Sequence, residues 1–354
     1  MYCLELAGED DPFALREADA AAAGLEPLAT GLALAGHVDA DRLRGLAYTH
    51  AADELVARTE AGLDAAELAL EAAAPFDREG TVAVRARDVQ GLTGVDTQAA
   101  ERRLGKVLVE QGYEVDLDDP DHELRALFSA DEEDGLTDAD ADGTGEGPDR
   151  IAPKNGVCVL GWLDVESVRD FDERRPTDRP FFQPGSMAPM DARAIANIAG
   201  AGPGRRILDP MCGTGGTLIE AGLVGADLVG TDAQWKMVRG TKGNLDALVP
   251  EADAAVARAD ATRLPLRDGA VEGLVFDAPY GRQSKIATHR LEDLVAGALA
   301  EGHRVSGPDA TCVLMADRSW HDAAVSAGWR VTDRFERRVH ATLVRHVHVL
   351  EKSP

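Results

Sequence analysis

The chain predicts an α/β protein whose C-terminal half is a parallel, doubly wound sheet, with α+β units before it. Three observations carry that prediction. From Arg205 onward the short apolar runs RRILDP, DLVGTD, AAVARAD, EGLVFDAP and ATCVLMAD are separated by helix-length stretches, the pattern of parallel strands joined by crossovers. A glycine loop, MCGTGG, directly follows the first run. The last two runs, WRVTDRFERRVH and ATLVRHVHVL, are adjacent and strand-like, and predict a terminal β-hairpin on the sheet edge.

The elements before the sheet are read in chain order. The first 58 residues, ending in LAYTHAADELVAR, read as an αβ unit with Ala-rich helices. TVAVRARDV, from Thr81, alternates apolar and basic residues like a half-buried strand. DTQAAERRLGKVLVEQG is an amphipathic helix with Asp96 or Thr97 as N-cap and Gly112 as its stop. YEVDLDDPD and HELRALFSA add two strand candidates, and GVCVLGWLDV another, completing a β-α-β-β series for a small α+β domain. Between them, residues 130–149 are acidic and full of helix breakers, and predict a mobile surface loop. Its DADADG piece lacks the Glu that would close a calcium loop. RDFDERRPTDRP, from Arg169 to Pro180, reads as an interdomain linker.

Composition narrows the class. The chain has 354 residues, enough for two or three domains. With 63 Asp+Glu against 37 Lys+Arg the net charge is −26, and such a surface repels itself in dilute buffer. At about 1 M salt the Debye length falls to about 3 Å and that repulsion vanishes, so we read the charge as adaptation to a salty cytoplasm. The competing reading is that the protein avoids nucleic acid altogether; charge alone would favour that one, so the site has to decide. No run is long enough to cross a bilayer, and the acidic start MYCLELAGEDDPF is no signal peptide, so a cytoplasmic protein with no membrane partner is expected. Cys3, Cys158, Cys212 and Cys312 lie far apart, which speaks against a zinc site or a disulfide framework.

The glycine loop predicts a cofactor site. Gly213, Gly215 and Gly216 allow a tight turn and close approach to a ligand, a signal shared by nucleotide-binding folds generally. The carboxylates make it specific. Asp209 ends the first run, where it can pair with a cationic amino group but would repel a pyrophosphate. Asp232 ends the second and can accept from both hydroxyls of a ribose. Asp260 ends the third, in position for an adenine amino group, and Asp277 ends the fourth. A single Asp after a strand is most simply a helix N-cap. Four in register on the carboxyl edge of a parallel sheet point instead to S-adenosylmethionine. Thr214 and Ala261 complete the expected cofactor set, and Cys212 is read as a small residue tolerated beside the ligand.

FDAPYG, from Phe276 to Gly281, predicts the reactive site. The exocyclic amine of a base is a poor nucleophile because its lone pair is delocalised into the ring. Two acceptors aimed at its N–H bonds localise that pair: the Asp277 carboxylate and a backbone carbonyl, that of Ala278. Tyr280 can stack on the base, and Pro279 biases Ala278 toward extended geometry. An alanine where a proline would remove the N–H leaves the loop less rigid. A plain strand-to-helix turn is the competing reading.

At this point the chain resembles a family. DRPFFQPGSMAPMDARAIANIAG, ILDPMCGTGGTLIEAG, LVGTDA, ADATRLP, FDAPYGR and RRVHATLVRHVHVL look like the archaeal tRNA guanine(10)-N2-methyltransferases, as do VAVRARDV, ERRLGKVLVEQGY and VDLDDPD earlier. The resemblance implies a ferredoxin-like unit at 1–58, a THUMP-like RNA-binding domain at 59–165, a linker at 166–184 and a class I, Rossmann-like methyltransferase domain at 185–354. It implies that Asp277 and Tyr280 handle guanine in tRNA, and that Asp209, Gly213, Asp232 and Asp260 hold the donor. It further implies that Pro184 and Ser186, with Phe181, Phe182 and Gly185, close over the donor's methionine end; buried aromatic packing between linker and sheet is an equally good account of the two Phe residues. The family's usual DPPY is DAPY here. Some relatives pair with a small zinc-binding activator protein, which this sequence neither shows nor excludes.

Candidate RNA contacts are Arg85, Arg87, Arg102, Arg103, Arg282 and Lys285, with Arg290, Arg337, Arg338 and Arg345 behind them. Methylation of another tRNA guanine or of a DNA exocyclic amine is the alternative within the class. A non-catalytic RNA-binding module, decayed at Ala278, is the alternative outside it.

Overall fold

The computed structural model describes residues 1–8, 10–73, 76, 78–131, 156–279, 288–340 and 343–352, which fall into two units. One comprises Met1–Arg44 and Tyr48–Ser167, the other Gly45–Ala47 and Val168–Pro354.

In the first unit β1 (Tyr2–Leu6) is followed by α1 (Asp11–Ala18), then by four short strands, β2 (Ala22–Ala23), β3 (Glu26–Ala29), β4 (Leu32–Ala35) and β5 (His37–Val38). Next come α2 (Ala40–Leu43), β6 (Thr49–Glu60), α3 (Leu63–Ala73), β7 (Thr81–Asp88), α4 (Thr97–Glu110), β8 (Glu114–Val115), β9 (His122–Ser129) and β10 (Val157–Glu166). The Ala-rich stretch expected to be helical is mostly turn and short strand. Alanine propensity is weak against the chance to pair β4 and β6 with β1. Asp96 caps α4 by accepting from the Ala99 N–H at 2.9 Å, and the helix buries Ala100, Leu104, Val107 and Leu108.

Eight strands form one sheet in the order β3-β4-β1-β6-β10-β9-β7-β8. The boundary expected at residue 58 falls inside β6, which pairs with β1 on one side and β10 on the other. A twelve-residue strand left with a bare edge would expose a row of unpaired N–H and C=O groups, so the sheet runs on across that point.

A buried charge cluster spans this sheet. Arg125 on β9 donates to Asp53 on β6 at 3.2 Å and to Glu5 on β1, while Arg87 reaches Glu5 at 2.6 Å. Gly161 on the intervening β10 makes the reach possible, because a Cβ there would stand 2.7 Å from that of Asp53. Burial pushes the Asp53 carboxyl up to about 7, with Arg125 pulling it down. The acidic residues 132–155 lie outside the described residues.

In the second unit α5 (Pro189–Ile198) precedes five parallel strands: β11 (Arg206–Asp209), β12 (Asp227–Asp232), β13 (Ala254–Arg258), β14 (Val271–Asp277) and β15 (Ser306–Ala316). α6 (Gly216–Leu223), α7 (Trp235–Leu248) and α8 (Thr288–Val305) form three of the crossovers, and β13 passes to β14 without a helix. After α9 (His321–Ser326), β16 (Trp329–His340) and β17 (Leu343–Lys352) form the antiparallel hairpin that closes the sheet edge. The order is β13-β12-β11-β14-β15-β17-β16. The winding reverses between β11 and β14, which opens a crevice at their carboxyl ends. Val275, Phe276, Val313 and Leu314 are fully buried, as strands covered on both faces must be.

The segment expected to be a free linker is anchored within this unit. Arg174 donates to Glu220 on α6 at 3.0 Å, and Arg193 on α5 pairs with the same carboxylate at 2.8 Å. Arg179 lies buried beside them, its Nε donating to the Arg174 carbonyl. A stretch of charged pairs with two prolines reads as an interdomain linker; only its partners show that Arg174 and Arg193 grip a buried Glu220. Among the described residues no helix is long and apolar enough to cross a membrane, and no cluster of His, Cys, Asp and Glu is placed to hold a metal.

Candidate active site

β11 ends in Asp209, which is buried and accepts one hydrogen bond at each oxygen. One carboxylate oxygen accepts from the Met211 N–H at 3.1 Å, the other from the Thr217 hydroxyl at 2.6 Å. Burial pushes this carboxyl up to about 7; the two hydrogen bonds oppose the rise, and the charges of Asp277 and Asp232 add to it. Asp209, Asp232 and Asp277 end the neighbouring parallel strands β11, β12 and β14, so these three carboxylates stand on one carboxyl edge of the sheet.

The loop after β11 turns on glycines in the left-handed region, Gly213 (φ 52°) and Gly215 (φ 77°). A Cβ on Gly215 would meet Thr241 of α7 at 2.7 Å, whereas one on Gly213 would meet nothing closer than 3.9 Å. The loop thus packs tightly behind and stays open in front. Asp232, at the end of β12, accepts from the Gly213 N–H at 3.2 Å and from the Gln234 N–H at 2.8 Å. Burial raises its carboxyl as well.

Asp260 stands two residues beyond β13. One oxygen accepts from the Thr262 N–H and hydroxyl, at 2.9 and 2.8 Å. The Ala259 N–H donates to the Asp232 carbonyl, which ties this turn to the end of β12.

Three expected cofactor residues have side chains engaged within the protein. The Cys212 thiol is buried against Thr241, 3.6 Å from its hydroxyl, and burial pushes its pKa far up. Ala261 packs in the core with Leu264 and Leu291. Thr214 hydrogen-bonds Ser186 through their hydroxyls at 3.1 Å. Pro184 and Phe182 are exposed, while Phe181 lies over Gly240, where a Cβ would stand 2.0 Å from its ring.

At the reactive end, Asp277 closes β14 with Arg345 of β17 at 3.9 Å. Arg345, expected among RNA contacts, is buried here. The Ala278 N–H donates to the Met315 carbonyl of β15 at 2.8 Å, and its side chain is buried in the core. The looseness expected from losing a proline is therefore met by one more rung of the ladder. Tyr280, Arg282 and Lys285 lie outside the described residues, as does the side chain of Arg290.

In the first unit, Arg85 donates to the Leu117 carbonyl at 2.6 Å, Arg87 pairs with Glu5, and Arg103 binds Asp64 and Glu67 of α3. Arg102 is exposed. Arg337 reaches Asp191 at 3.3 Å.

The residues missed in the sequence are those that support the rim: Thr217, Thr241, Asn244 and Arg179. The place of Thr217 in the first turn of the helix after the glycine loop was a usable signal for the first. Nothing local marks the other three.

The UPF0020 family, described as an RMKL-like methyltransferase domain, matches residues 176–346. A tRNA (guanine(10)-N2)-dimethyltransferase of Methanothermobacter thermautotrophicus is 34% identical over 87% of this chain and 83% of its own length. One of Pyrococcus abyssi is 30% identical over 77% and 74%. The chain belongs to the tRNA (guanine(10)-N2)-dimethyltransferase family. Among solved structures, TrmN from Thermus thermophilus shares the fold along 99% of both chains, with TM-score 0.50 and 22% identity.

The site fits the donor expected of this family. Asp209, Asp232 and Asp277 make one acidic rim, suited to a cationic sulfonium compound and hostile to a pyrophosphate. The α6 N-terminus has no side-chain cap, and the loop before it is open in front at Gly213.

Proposed function

We propose that this protein methylates the exocyclic N2 of a guanine in tRNA with S-adenosylmethionine as donor, at position 10, adding one and then a second methyl group, in the cytoplasm. The observation that carries the reading is the shared rim of Asp209, Asp232 and Asp277 at the switch point of the parallel sheet.

When bound, S-adenosylmethionine supplies an activated methyl group on a sulfonium. Asp209 would hold its amino group, Asp232 its ribose hydroxyls, and Asp260 its adenine amino group. Asp277 and the Ala278 carbonyl accept from the two N–H bonds of the guanine amine and localise its lone pair. Because the Ala278 N–H is committed to Met315, the residue's orientation is set before substrate arrives. As the guanine amine gains the methyl group it loses a proton, which Asp277 would take. Positioning supplies most of the acceleration. Arg345 keeps a positive charge beside Asp277, 3.9 Å from its carboxylate. The first unit, with exposed Arg102 on α4, would hold the tRNA.

The test is methyl transfer to unmodified tRNA in multimolar KCl, with product nucleosides resolved by mass spectrometry. N2-methylguanosine and N2,N2-dimethylguanosine are expected. N6-methyladenosine, or no transfer while donor binds, would sink the reading. A tRNA without guanine at position 10 should not react; if it does, another guanine is the target. Adding a purified small zinc-binding activator tests whether activity needs a partner.

A further inference from the structure

We infer that Asn244 is a positioning residue for the donor site: its side-chain amide locks the strap Phe181–Ser186 and the glycine loop into one register. The inference rests on reading that loop as the donor site.

Asn244 lies on α7 and is fully buried. An Asn inside a helix is locally unfavourable, because its side chain competes for backbone hydrogen bonds, so the gain has to come from elsewhere. Here its Oδ1 accepts from the Phe181 N–H at 2.8 Å, and its Nδ2 donates to the Phe181 carbonyl at 2.8 Å. This pair imitates one rung of a β-ladder, with a side chain in place of a strand. The same Nδ2 donates to the Thr214 carbonyl at 2.9 Å. One planar group thus spans two segments separated widely in sequence.

The neighbouring residues of α7 complete the clasp. Thr241 donates to the Gly213 carbonyl at 2.8 Å. Gly240, one turn before Asn244, leaves the space that the Phe181 ring occupies. Across the top, the Ser186 and Thr214 hydroxyls meet at 3.1 Å. Strap and loop are therefore held to a common helix, and their facing surfaces cannot shift independently. No other residue type serves in place of Asn244. An Asp would set a carboxylate against two carbonyl oxygens, an Ala would leave three buried polar groups without a partner, and a Gln would push its amide one carbon too far.

Asn244→Ala, Asn244→Asp and Gly240→Ala separate this role from general stability. In the full-length enzyme at molar KCl, one measures the donor KM, the tRNA KM, kcat at saturating donor, calorimetric S-adenosylmethionine affinity and the melting temperature. Asn244→Ala should raise the donor KM and Kd about tenfold or more and leave the tRNA KM unchanged, with kcat within about threefold. Asn244→Asp should be worse. Gly240→Ala keeps the amide but displaces the Phe181 ring, and should weaken donor binding in the same direction. Should Asn244→Ala fail to fold, the other two variants decide. Donor KM within about twofold of the unaltered enzyme in every folded variant would overturn the inference alone. So would equal loss of donor and tRNA affinity, the mark of a merely unstable domain. If the unaltered protein takes up no donor, the methyl-transfer reading falls first and this inference with it.

Discussion

The Ala278 N–H donates to the Met315 carbonyl oxygen across 2.8 Å, which extends the β14–β15 ladder one residue past Asp277. A proline at 278 has no such donor. Ala278→Pro should lower stability by about 1–2 kcal/mol, since it both loses the bond and leaves the buried Met315 carbonyl without that partner. Denaturant midpoints at fixed molar KCl measure it. Equal or higher stability would show that the loop gains more from a fixed φ than from the hydrogen bond.

Asp277 is assigned both an acceptor role and a proton-accepting role, and two variants separate them. Asp277→Ala should lower kcat about 100- to 10,000-fold, with donor affinity nearly intact. Asp277→Asn keeps an acceptor oxygen and should lose less. Single-turnover transfer to tRNA gives both numbers, and unchanged turnover in Asp277→Ala would remove the residue from the mechanism.

Asp209 makes stability and donor binding depend on pH. Burial pushes its carboxyl up to about 7 from the ordinary 3.8 of an aspartate. The folded protein holds that proton more tightly than the unfolded chain, so this contribution is fully present below about 3.8 and is lost as pH rises to about 7. Asp209→Asn should flatten the fall in melting temperature across that window. Donor affinity should strengthen as pH rises through about 7, because only the ionised carboxylate pairs with the donor's amino group, and the variant should lack that step. Calorimetric titrations at pH 6 and 8, the two sides of that value, test it.

Arg125 is the counter-charge for two buried carboxylates. Arg125→Met strands Asp53, leaves Glu5 with Arg87 alone, and should cost about 3–5 kcal/mol. Adding Glu5→Gln and Asp53→Asn should recover much of it, because an apolar or neutral replacement of a whole buried cluster is far cheaper than removal of one member. High KCl should rescue little, since buried pairs are poorly screened. Urea unfolding of the single and triple variants at two salt concentrations decides it.

Several elements were legible in the residues for physical reasons. The strand-ending carboxylates and the glycine loop could be placed because a parallel sheet puts all its carboxyl ends on one edge. The strong amphipathic period of TQAAERRLGKVLVE made α4 legible, and the doublet WRVTDRFERRVH and ATLVRHVHVL gave the hairpin. The first 60 residues were harder. An Ala-rich stretch carries little local preference, and whether THAADELVARTE is strand or helix depends on the β1 and β10 edges that flank it.

By itself, then, the order of residues determined that acidic groups would line one rim of a doubly wound sheet, because side-chain chemistry and strand period are local properties. Tertiary structure alone decided which groups support that rim. Asn244 grips Phe181 and Thr214, Arg345 stands beside Asp277, and Arg174 with Arg193 surrounds Glu220, all between positions far apart in the chain. Such contacts have no period and no spacing. They exist only once burial has made an unpartnered polar group too costly to keep.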